Sequence, residues 1–486
     1  METESRREKV LLLNPPGKFP YTRDYFCSKV TKSLYLEPPL DLLILSGILK
    51  VDFHVEVIDA MVRGIGPETC RREIASGGFE AIISLTSSIS WNEDAPFLRS
   101  IKEDQDLKIV AIGDALLREG ILEELPWMDG ILLDFTTPDI VRFLSGEIES
   151  IGNMIFRNNG ALVTGSRTRK ERTFSVPTPR HDLFIDERYG FPFQKKRPFT
   201  ILLSDYGCPY SCPFCVNSRR SMGYKVRPIE NVVAELRTIR ALGVEELFFR
   251  DQTFGWDRER TTALCAEMNR FTPSFSWTCF SRVDVIREEI LGAMSRAGCH
   301  TVIFGIESGD EEILRRFKPG VDLGIAKEAI ALCRRFGIAT VATFMMGFPG
   351  EGEESIRRTI HEARSLDPDF ASFNMYTPKY GTSMGSRSLE GRATEAVMCL
   401  DQSGYLLPGI EDSPRLKEIL ALHRMAVRTF YLRPRYLFRS LTRIRSRHEF
   451  IHFLKNGSNL LSAAFHFRRT NPRGMIKDRP RRGRPC

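Results

Sequence analysis

The sequence lacks an apolar run long enough to cross a bilayer. Its longest charge-free stretch, around Phe336 to Pro349, falls short of the ~20 residues that a membrane-spanning helix needs, and it contains glycines. A signal peptide is not predicted either, because the apolar run Val10–Leu13 near the start is shorter than the core of such a peptide. We therefore expect no transmembrane segment and no export, and we predict a cytoplasmic protein.

The chain before residue 468 also lacks a strong excess of basic residues. The net charge is +8, but from Arg468 onward eight basic residues face a single acidic one, Asp478, so most of the excess lies at the end of the chain. The near-neutral remainder lacks the electrostatic footprint of an RNA-binding protein, and no nucleic-acid partner is expected. Residues 468–486 are predicted to be a basic disordered tail; contact with nucleic acid or anionic lipid is the alternative.

Disulfide bonds are not expected, because thiols stay reduced in the cytosol. The eleven cysteines are therefore predicted to be core residues or metal ligands. Four of them fall on or beside predicted strands and helices and are interpreted as core residues: Cys265, Cys279, Cys299 and Cys333. Three others stand apart because they are closely spaced.

The first part of the chain alternates strand-like and helix-like runs. Strands are predicted at 10–14, 54–58, 81–85 and 108–113, and a helix at 40–49. This pattern predicts an α/β, doubly wound domain over residues 8–148. Ligands of such domains bind beyond the carboxyl ends of the strands, here at the loops that start with Asn14, Asp59, Thr86 and Gly113. Residues 149–197 are predicted to be a linker with a hairpin at Asn158-Asn159-Gly160.

A second alternation follows this linker. Strands are predicted near 200–204, 245–249, 275–280, 301–306, 338–346 and 370–376, with helices between them such as 229–242 and 327–336. Six strand–helix units predict a partial TIM-type (β/α)6 barrel over residues 198–390, with its chemistry at the carboxyl ends of the strands. Residues 401–467 are predicted to form a helical carboxyl-terminal region.

The three closely spaced cysteines lie on the loop after the first barrel strand. Cys208, Cys212 and Cys215 can cap three irons of a cubane cluster, which leaves the fourth iron without a protein thiolate. An iron with an open position can bind a small molecule, as a catalytic zinc does. A zinc site and unliganded core cysteines are the alternatives. Zinc needs a fourth ligand, and the nearest upstream histidine, His181, lies in the linker.

The Cys-x3-Cys-x2-Cys triple resembles the motif of the radical S-adenosylmethionine (SAM) superfamily, and the resemblance covers roughly residues 198–385. It implies a [4Fe–4S] cluster on Cys208, Cys212 and Cys215, with SAM bound to the open iron through its amino and carboxylate groups. It further implies reductive cleavage of SAM to a 5′-deoxyadenosyl radical, and an external electron donor such as flavodoxin or ferredoxin.

The same resemblance implies SAM contacts at further positions. Phe214 takes the family position that lies against the adenine. Asp251 follows the second strand, where relatives bind the SAM ammonium, although the glycines of that motif are absent. Positions that approach the carboxylate, ribose and adenine are Ser281, Arg282, Gly305, Glu307, Gly347 and Pro349. The alternatives are a salt bridge between Asp251 and Arg282 at the barrel rim, and glycine turns that only close strands.

The first domain resembles the cobalamin-binding domain of cobalamin-dependent radical SAM enzymes. The match lies in Asn14-Pro15-Pro16-Gly17, Glu37–Leu49 and Val57–Ala60, and in the strand that ends at Gly113. It implies cobalamin contacts at Asn14, Pro15, Asp59, Thr86 and Gly113. Relatives usually have Gly-Gly after the fourth strand and Gly-Glu-Gly-Glu after the fifth. This chain has Gly113-Asp114 and Asp134–Thr137 there.

The cobalt-ligand motif of other cobalamin proteins is only partly matched. Asp52-Phe53-His54 resembles its start, but Val57 replaces its glycine, and His54 opens a strand where the motif needs a loop. We interpret His54 as structural. Bound cobalamin is therefore expected to be base-off and without a histidine ligand.

The carboxyl-terminal region contains one basic amphipathic pattern. Leu437, Leu441 and Ile444 recur at helical spacing, with arginines at 435, 439, 443, 445 and 447 among them. Such a helix either contacts an anionic membrane peripherally, at the inner membrane surface, or packs on the barrel with a solvated basic face.

Taken together, these features predict a radical SAM enzyme, with C-methylation of an unactivated carbon of a small-molecule or lipid-like substrate as the first expectation. One alternative is a radical SAM enzyme that works without cobalamin, or that performs cyclisation or rearrangement. The other is a cluster-bearing nucleic-acid-binding or scaffold protein.

Overall fold

A computed structural model describes residues 7–24, 28–31, 35–165, 172–218, 223–385 and 414–443. The predicted tail, the last residues of the predicted barrel segment and parts of the predicted carboxyl-terminal region lie outside these ranges. Within them, no helix combines the length and the apolar character that crossing a membrane requires.

The first sheet is a doubly wound sheet, as predicted. Its strands are β1 (Lys9–Asn14), β4 (His54–Asp59), β5 (Ala81–Leu85), β6 (Lys108–Ile112), β7 (Gly130–Leu132), β8 (Met154–Asn158) and β9 (Ala161–Thr164); β2 (Tyr21–Thr22) and β3 (Lys29–Val30) form a separate small ribbon. Its helices are α1 (Leu40–Leu49), α2 (Ala60–Arg63), α3 (Pro67–Gly77), α4 (Trp91–Asp104) and α5 (Asp139–Leu144). The strand order is β4-β1-β5-β6-β7-β8-β9. The five neighbouring strands β4, β1, β5, β6 and β7 are parallel. The chain adds β4 on one side of β1 and β5 on the other, and sheets of this kind bind ligands at such a reversal.

Strands of a parallel sheet are covered on both faces, and the sequence of β1 reflects this. Val10 to Leu13 are all buried, with alternate residues in the hydrophobic clusters on the two sides of the sheet. The helix α1 is buried along its whole length. His54 begins β4 as predicted, and its ring is exposed at the end of the sheet opposite to the ligand-binding edge.

The predicted hairpin forms between β8 and β9. Its two-residue turn has positive φ at both Asn159 (48°) and Gly160 (83°), which is the backbone that a right-twisted hairpin favours. β8 pairs with β7, so the hairpin extends the first sheet. The boundaries predicted for the sequence segments stay predictions.

The second sheet is the predicted partial barrel of six parallel strands. A short antiparallel hairpin, β11 (Asp205–Gly207) and β12 (Tyr224–Val226), follows its first strand β10 (Phe199–Leu202). The other strands are β13 (Glu246–Phe249), β14 (Ser276–Ser281), β15 (Cys299–Glu307), β16 (Ala339–Met346) and β17 (Phe370–Met375). The helices around it are α6 (Ile229–Ala241), α7 (Arg258–Met268), α8 (Glu288–Arg296), α9 (Glu311–Phe317), α10 (Leu323–Arg335) and α11 (Glu353–Ser365). The four cysteines interpreted as core residues are all buried.

The two sheets share a hydrophobic core. Ile201 and Phe248 of the barrel belong to one cluster with Leu12 of the first sheet. Phe184 and Phe191, from the segment between the sheets, are buried in the same cluster, and the Phe191 ring lies 5.3 Å from that of Phe248. The predicted linker therefore fills the space between the barrel interior and the first domain.

The carboxyl-terminal helices α12 (Pro414–Tyr431) and α13 (Pro434–Arg443) pack on the barrel. Tyr436 is buried with its ring 5.0 Å from that of Tyr431, and Arg439 donates to Asp367 at 3.0 Å. Leu437 and Phe438 remain 39% and 73% exposed. The helix thus packs on the barrel and still presents an apolar outer face; the side chains from residue 440 onward are outside the described part.

Candidate iron–sulfur site and interdomain crevice

The cysteine loop is carried by the hairpin of β11 and β12, which the sequence pattern did not predict. Gly207 ends β11, pairs with Tyr224, and has φ = 79°. A Cβ atom at this position would lie 2.2 Å from the carbonyl oxygen of Gly223, so a larger residue would force the hairpin apart. The hairpin therefore fixes the point at which the chain enters the loop with Cys208.

Two of the three thiols contact barrel residues, and the third, Cys215, is partly buried. Cys208 Sγ lies 3.2 Å from Thr253 Oγ1, and Cys212, 7% exposed, accepts a hydrogen bond from Arg282 at 3.6 Å. Burial, followed by the charges of Cys208 and Cys212, raises the pKa of Cys215 to about 12. Three thiolates are therefore costly in this loop unless cations bind them, which suits the chemistry of a metal centre.

A four-iron cluster fits this donor set better than a single zinc ion. A cubane cluster takes one thiolate on each of three irons, whereas ligands of one ion must converge on a point. No three His, Cys, Asp or Glu side chains converge in that way within the described ranges. His181, the nearest upstream histidine, has both ring nitrogens engaged, at 2.9 Å from Thr200 Oγ1 and 2.8 Å from Glu235 Oε1.

Arg282 lies against the cysteine loop. Its guanidinium donates to both carboxylate oxygens of Asp284 at 2.9 and 2.8 Å and to the carbonyl oxygen of Pro319 at 2.9 Å. It also stacks 3.6 Å from the centroid of the Tyr210 ring. The alternative of a rim salt bridge between Arg282 and Asp251 is wrong, because each has other partners.

Asp251 anchors the start of the hairpin that carries the loop. Its carboxylate accepts from the backbone N–H of Ser204 at 2.6 Å, from the Ser204 hydroxyl, and from the N–H of Asp205 at 3.2 Å. Burial raises the pKa of Asp251. Ser281 is also engaged within the protein, since its hydroxyl donates to the carbonyl oxygen of Phe254 at 2.7 Å. The SAM contacts of Asp251 and Ser281 stay predictions.

The end of β15 holds a buried ion pair. Glu307 has φ = 76°, beside an irregularity in the pairing with β16, and accepts from Lys318 Nζ at 3.0 Å. A Cβ atom on Gly305 would lie 2.4 Å from the Glu307 carboxylate and 2.8 Å from Lys318 Nζ. Burial lowers the pKa of Lys318, but Glu307 and Cys212 outweigh it and raise the pKa above its ordinary value. Lys318 is thus a fixed cation near the cysteine loop.

The predicted adenine-side turn and Phe214 come together. The Phe214 ring lies 5.5 Å from the ring of Phe348, which is the residue between Gly347 and Pro349 in the turn. The turn is capped by Glu351, whose carboxylate accepts from the N–H groups of Gly347 and Phe348 at 2.6 and 3.0 Å. Burial raises the pKa of Glu351 to about 7.

The cobalamin residues predicted on the first two strands of the first domain form a hydrogen-bonded group. Asn14 Nδ2 donates to Asp59 at 2.9 Å, and Arg23 donates to Asn14 Oδ1 at 3.1 Å and to the Pro15 carbonyl at 2.8 Å. The Tyr189 hydroxyl donates to Asp59 at 2.7 Å. Asn14, Arg23 and Asp59 line a cavity at the ligand-binding edge of the sheet.

The other two predicted residues, Thr86 and Gly113, hold neighbouring strand ends close together. Thr86 N–H donates to the carbonyl of Ile112 at 2.8 Å, and a Cβ atom on Gly113 would lie 2.0 Å from the Thr86 carbonyl oxygen. Gly113 has φ = 151°, so a side chain here would meet both backbone strain and a collision.

The two positions that depart from the cobalamin-domain pattern both reach the barrel half of the chain. Asp114 accepts from Lys379 at 2.8 Å, and Asp134 accepts from Lys225 at 2.7 Å. Arg250, after β13, donates to Glu37 at 3.0 Å and also pairs with Asp24. The loops at the carboxyl ends of both sheets therefore face each other and are joined by ion pairs; we call the region between them the interdomain crevice.

Residues 204–363 match the family model described as the radical SAM superfamily. This chain contains a radical SAM domain. The matched range contains the three cysteines and the predicted SAM residues from Phe214 to Pro349. Its cofactors are accordingly a [4Fe–4S] cluster and SAM.

Two curated relatives extend the similarity of this radical SAM enzyme beyond that range. An uncharacterized methyltransferase of Pyrococcus horikoshii is 27% identical over 421 residues, 83% of this chain and 90% of the relative. An anaerobic magnesium-protoporphyrin IX monomethyl ester cyclase of Rubrivivax gelatinosus is 25% identical over 360 residues, 70% of this chain and 64% of the relative. The chain thus spans less than two thirds of the length of the cyclase.

A solved structure shares the fold. The radical SAM methyltransferase TsrM from Kitasatospora setae, with cobalamin and a [4Fe–4S] cluster bound, superposes with a TM-score of 0.66 at 18% identity, over 94% of this chain and 99% of the other. The superposition covers both domains of this chain. The predicted fold, a doubly wound domain followed by a partial barrel, is therefore confirmed.

Several residues at the radical SAM site are not among the predicted site residues. Tyr210 contacts Arg282, and Thr253 contacts Cys208. Three further residues hold predicted residues in place: Asp284, Lys318 and Glu351. Asp284 and Glu351 follow predicted residues closely, and this proximity was an available signal. Lys318 was not detectable in that way, because its partner lies eleven positions away across a helix.

Proposed function

We propose that this radical SAM enzyme binds cobalamin in the crevice between its two domains and methylates an unactivated carbon of a small-molecule or lipid-like substrate. The proposal rests on the crevice, in which the carboxyl-end loops of the first sheet lie against those of the barrel. The two-domain likeness to TsrM over almost the whole chain supports it. Bound cobalamin would supply a carrier for the methyl group.

The residues of the first domain fit a ligand at the edge of the sheet. Asn14 and Asp59 line the cavity there, while Thr86 and Gly113 bring the next two strand ends together. The described histidines, at positions 54, 181, 300, 361 and 423, do not lie on the carboxyl-end loops of this sheet. This is consistent with cobalamin that has no histidine ligand.

The barrel residues would bind and shield the reacting groups. Cys208, Cys212 and Cys215 hold the cluster, and Phe214 with Phe348 offers an apolar wall to an adenine ring. Lys318, paired with Glu307, places a buried cation beside the loop. These assignments use the side chains where they lie and require no change in the fold.

A second candidate function is ring closure without methyl transfer. The similarity to the cyclase of Rubrivivax gelatinosus over 70% of this chain favours it. Both candidates use the same cluster and SAM, and they differ in whether a methyl group leaves SAM.

Anaerobic reconstitution with iron, sulfide, reductant and SAM, with and without cobalamin, tests the proposal. Methyl transfer predicts S-adenosylhomocysteine that depends on added cobalamin, together with 5′-deoxyadenosine. Deoxyadenosine alone, unaffected by cobalamin, would favour the second candidate. A protein that never retains cobalamin under these conditions would refute cobalamin binding.

A further inference from the structure

Arg282 has a contact that SAM binding does not explain. A guanidinium has five N–H donors. In Arg282, Nε and Nη2 donate to Asp284, Nη2 donates to the Pro319 carbonyl, and Nη1 donates to Cys212 Sγ at 3.6 Å. The last distance suits a sulfur acceptor, because sulfur is larger than oxygen. Most of the guanidinium is thus committed before any ligand arrives.

Several contacts fix the orientation of the Arg282 guanidinium. The two bonds to Asp284 hold the guanidinium in one plane, and the Tyr210 ring covers it at 3.6 Å. Arg282 is only 3% exposed, so little water competes for the N–H group that reaches Cys212. A hydrogen bond that is preorganised and screened from water in this way is stronger than one at the surface.

We propose that Arg282 is a positioning residue that donates a charge-assisted hydrogen bond to the Cys212 thiolate and thereby raises the reduction potential of the cluster. Reduction adds an electron to the cluster and increases the negative charge on its sulfur ligands. A donor at one of these sulfurs therefore stabilises the reduced form more than the oxidised form. The inference rests on the cluster alone and needs neither cobalamin nor a particular substrate.

The hydrogen bond, and not only the positive charge, is expected to matter. Asp284 neutralises much of the charge of Arg282 at short range, and Glu307 does the same for nearby Lys318. A lysine at position 282 would keep a cation, but it lacks the planar fork that binds Asp284 and reaches Cys212 together. The Arg282→Lys variant therefore separates the two contributions, and it also serves if Arg282→Gln fails to assemble a cluster.

The test is an EPR-monitored redox titration of the reconstituted full-length enzyme, in the absence of SAM and cobalamin. The variants are Arg282→Gln and Arg282→Lys, compared at equal iron and sulfide content. Arg260→Gln is the matched control. Arg260 also braces the loop region, by donating to the carbonyls of Ser204 and Arg227 at 2.9 and 2.7 Å, and the described contacts give it no bond to a cysteine.

We expect the potential to shift to more negative values in Arg282→Gln, by less in Arg282→Lys, and not in Arg260→Gln. An unchanged potential in Arg282→Gln with full iron content would overturn the proposal. So would an equal shift in Arg260→Gln, since a general loosening of the loop would then be the cause. Weaker SAM binding without a shift in the SAM-free potential would likewise overturn it, and would make Arg282 a SAM ligand. None of these outcomes bears on cobalamin, which the reconstitution assay tests separately.

Discussion

The barrel and the first domain both carry polar side chains at the carboxyl ends of parallel strands, but they use their charges differently. In the barrel, Arg282 and Lys318 are neutralised by partners from the barrel itself and lie near Cys212. In the first domain, Asp114 and Asp134 pair with lysines of the other half of the chain.

This difference indicates that the two sites depend on different parts of the molecule. The predicted cluster site lies within the barrel half, because the described side chains that contact or lie near the cysteines belong to it. The crevice is defined only when the two domains are together, and two of its ion pairs use Asp114 and Asp134, at positions where cobalamin-binding relatives usually have glycines. A ligand of the crevice must therefore be accommodated beside the interdomain contacts.

The largest effect is expected from removing a cluster ligand. Cys212→Ala should lose most of the bound iron and all detectable 5′-deoxyadenosine formation, since a cubane held by two thiolates is poorly retained. Iron and sulfide content after anaerobic reconstitution measure this. The control is Cys333→Ala, which removes a buried core thiol and should keep the cluster. Equal iron loss in both variants would contradict the assignment.

Breaking the buried ion pair of the barrel should cost stability. Lys318→Met leaves Glu307 buried without its cation, and we expect the free energy of unfolding to fall by about 3–5 kcal/mol. Arg335→Met removes a partner of Glu288 in a pair whose side chains are 65% and 63% exposed, and should change it by less than about 1 kcal/mol. Denaturant unfolding followed by tryptophan fluorescence compares the two. Similar losses in the two variants would show that the buried pair of Lys318 and Glu307 contributes no more stability than an exposed pair.

Restoring glycine at the crevice should change ligand binding in the first domain. Asp114→Gly removes a carboxylate that accepts from Lys379, Ser28 and Ser88, and it recreates the Gly-Gly pair of cobalamin-binding relatives. We expect cobalamin to bind more tightly, by on the order of tenfold. Equilibrium dialysis with absorbance detection measures the affinity, with Asp104→Asn, an exposed partner of Arg71, as the control. Weaker binding in the glycine variant would mean that Asp114 supports the pocket.

A pH dependence of opposite sign is also expected in the two regions. The pKa of Glu351 is raised from 4.5 to about 7, so its contribution to stability is complete below pH 4.5 and is lost as the pH rises through 7, by at most about 3 kcal/mol. The pKa of Asp114 is lowered, because Lys379 and Ser88 outweigh burial, so its contribution is present above about pH 4 and is lost as the pH falls.

Unfolding midpoints between pH 4.5 and 8 measure the first of these effects. Glu351→Gln keeps an acceptor for the N–H groups of Gly347 and Phe348 and cannot ionise. It should abolish the decline in stability across this range. A wild-type decline that persists in Glu351→Gln would assign the titration to another group.

Much of the fold was predictable because it depends on local patterns. The apolar runs of the parallel strands and the all-buried helix Leu40–Leu49 are continuous in sequence, and the glycine-containing turn at Asn159 specifies its own hairpin. The short hairpin of β11 and β12 was not predictable, because three-residue strands around a loop carry no periodic signal.

The sequence by itself determined most of the order of strands and helices and the position of three closely spaced cysteines on one loop, since these depend on residues close together in the chain. Only the tertiary structure decided the pairs between charged groups that are far apart in the chain. Arg282 meets Cys212 across 70 positions, and Lys379 meets Asp114 across 265. No local pattern records such pairs, because an ion pair requires only that two side chains meet when both sheets have packed.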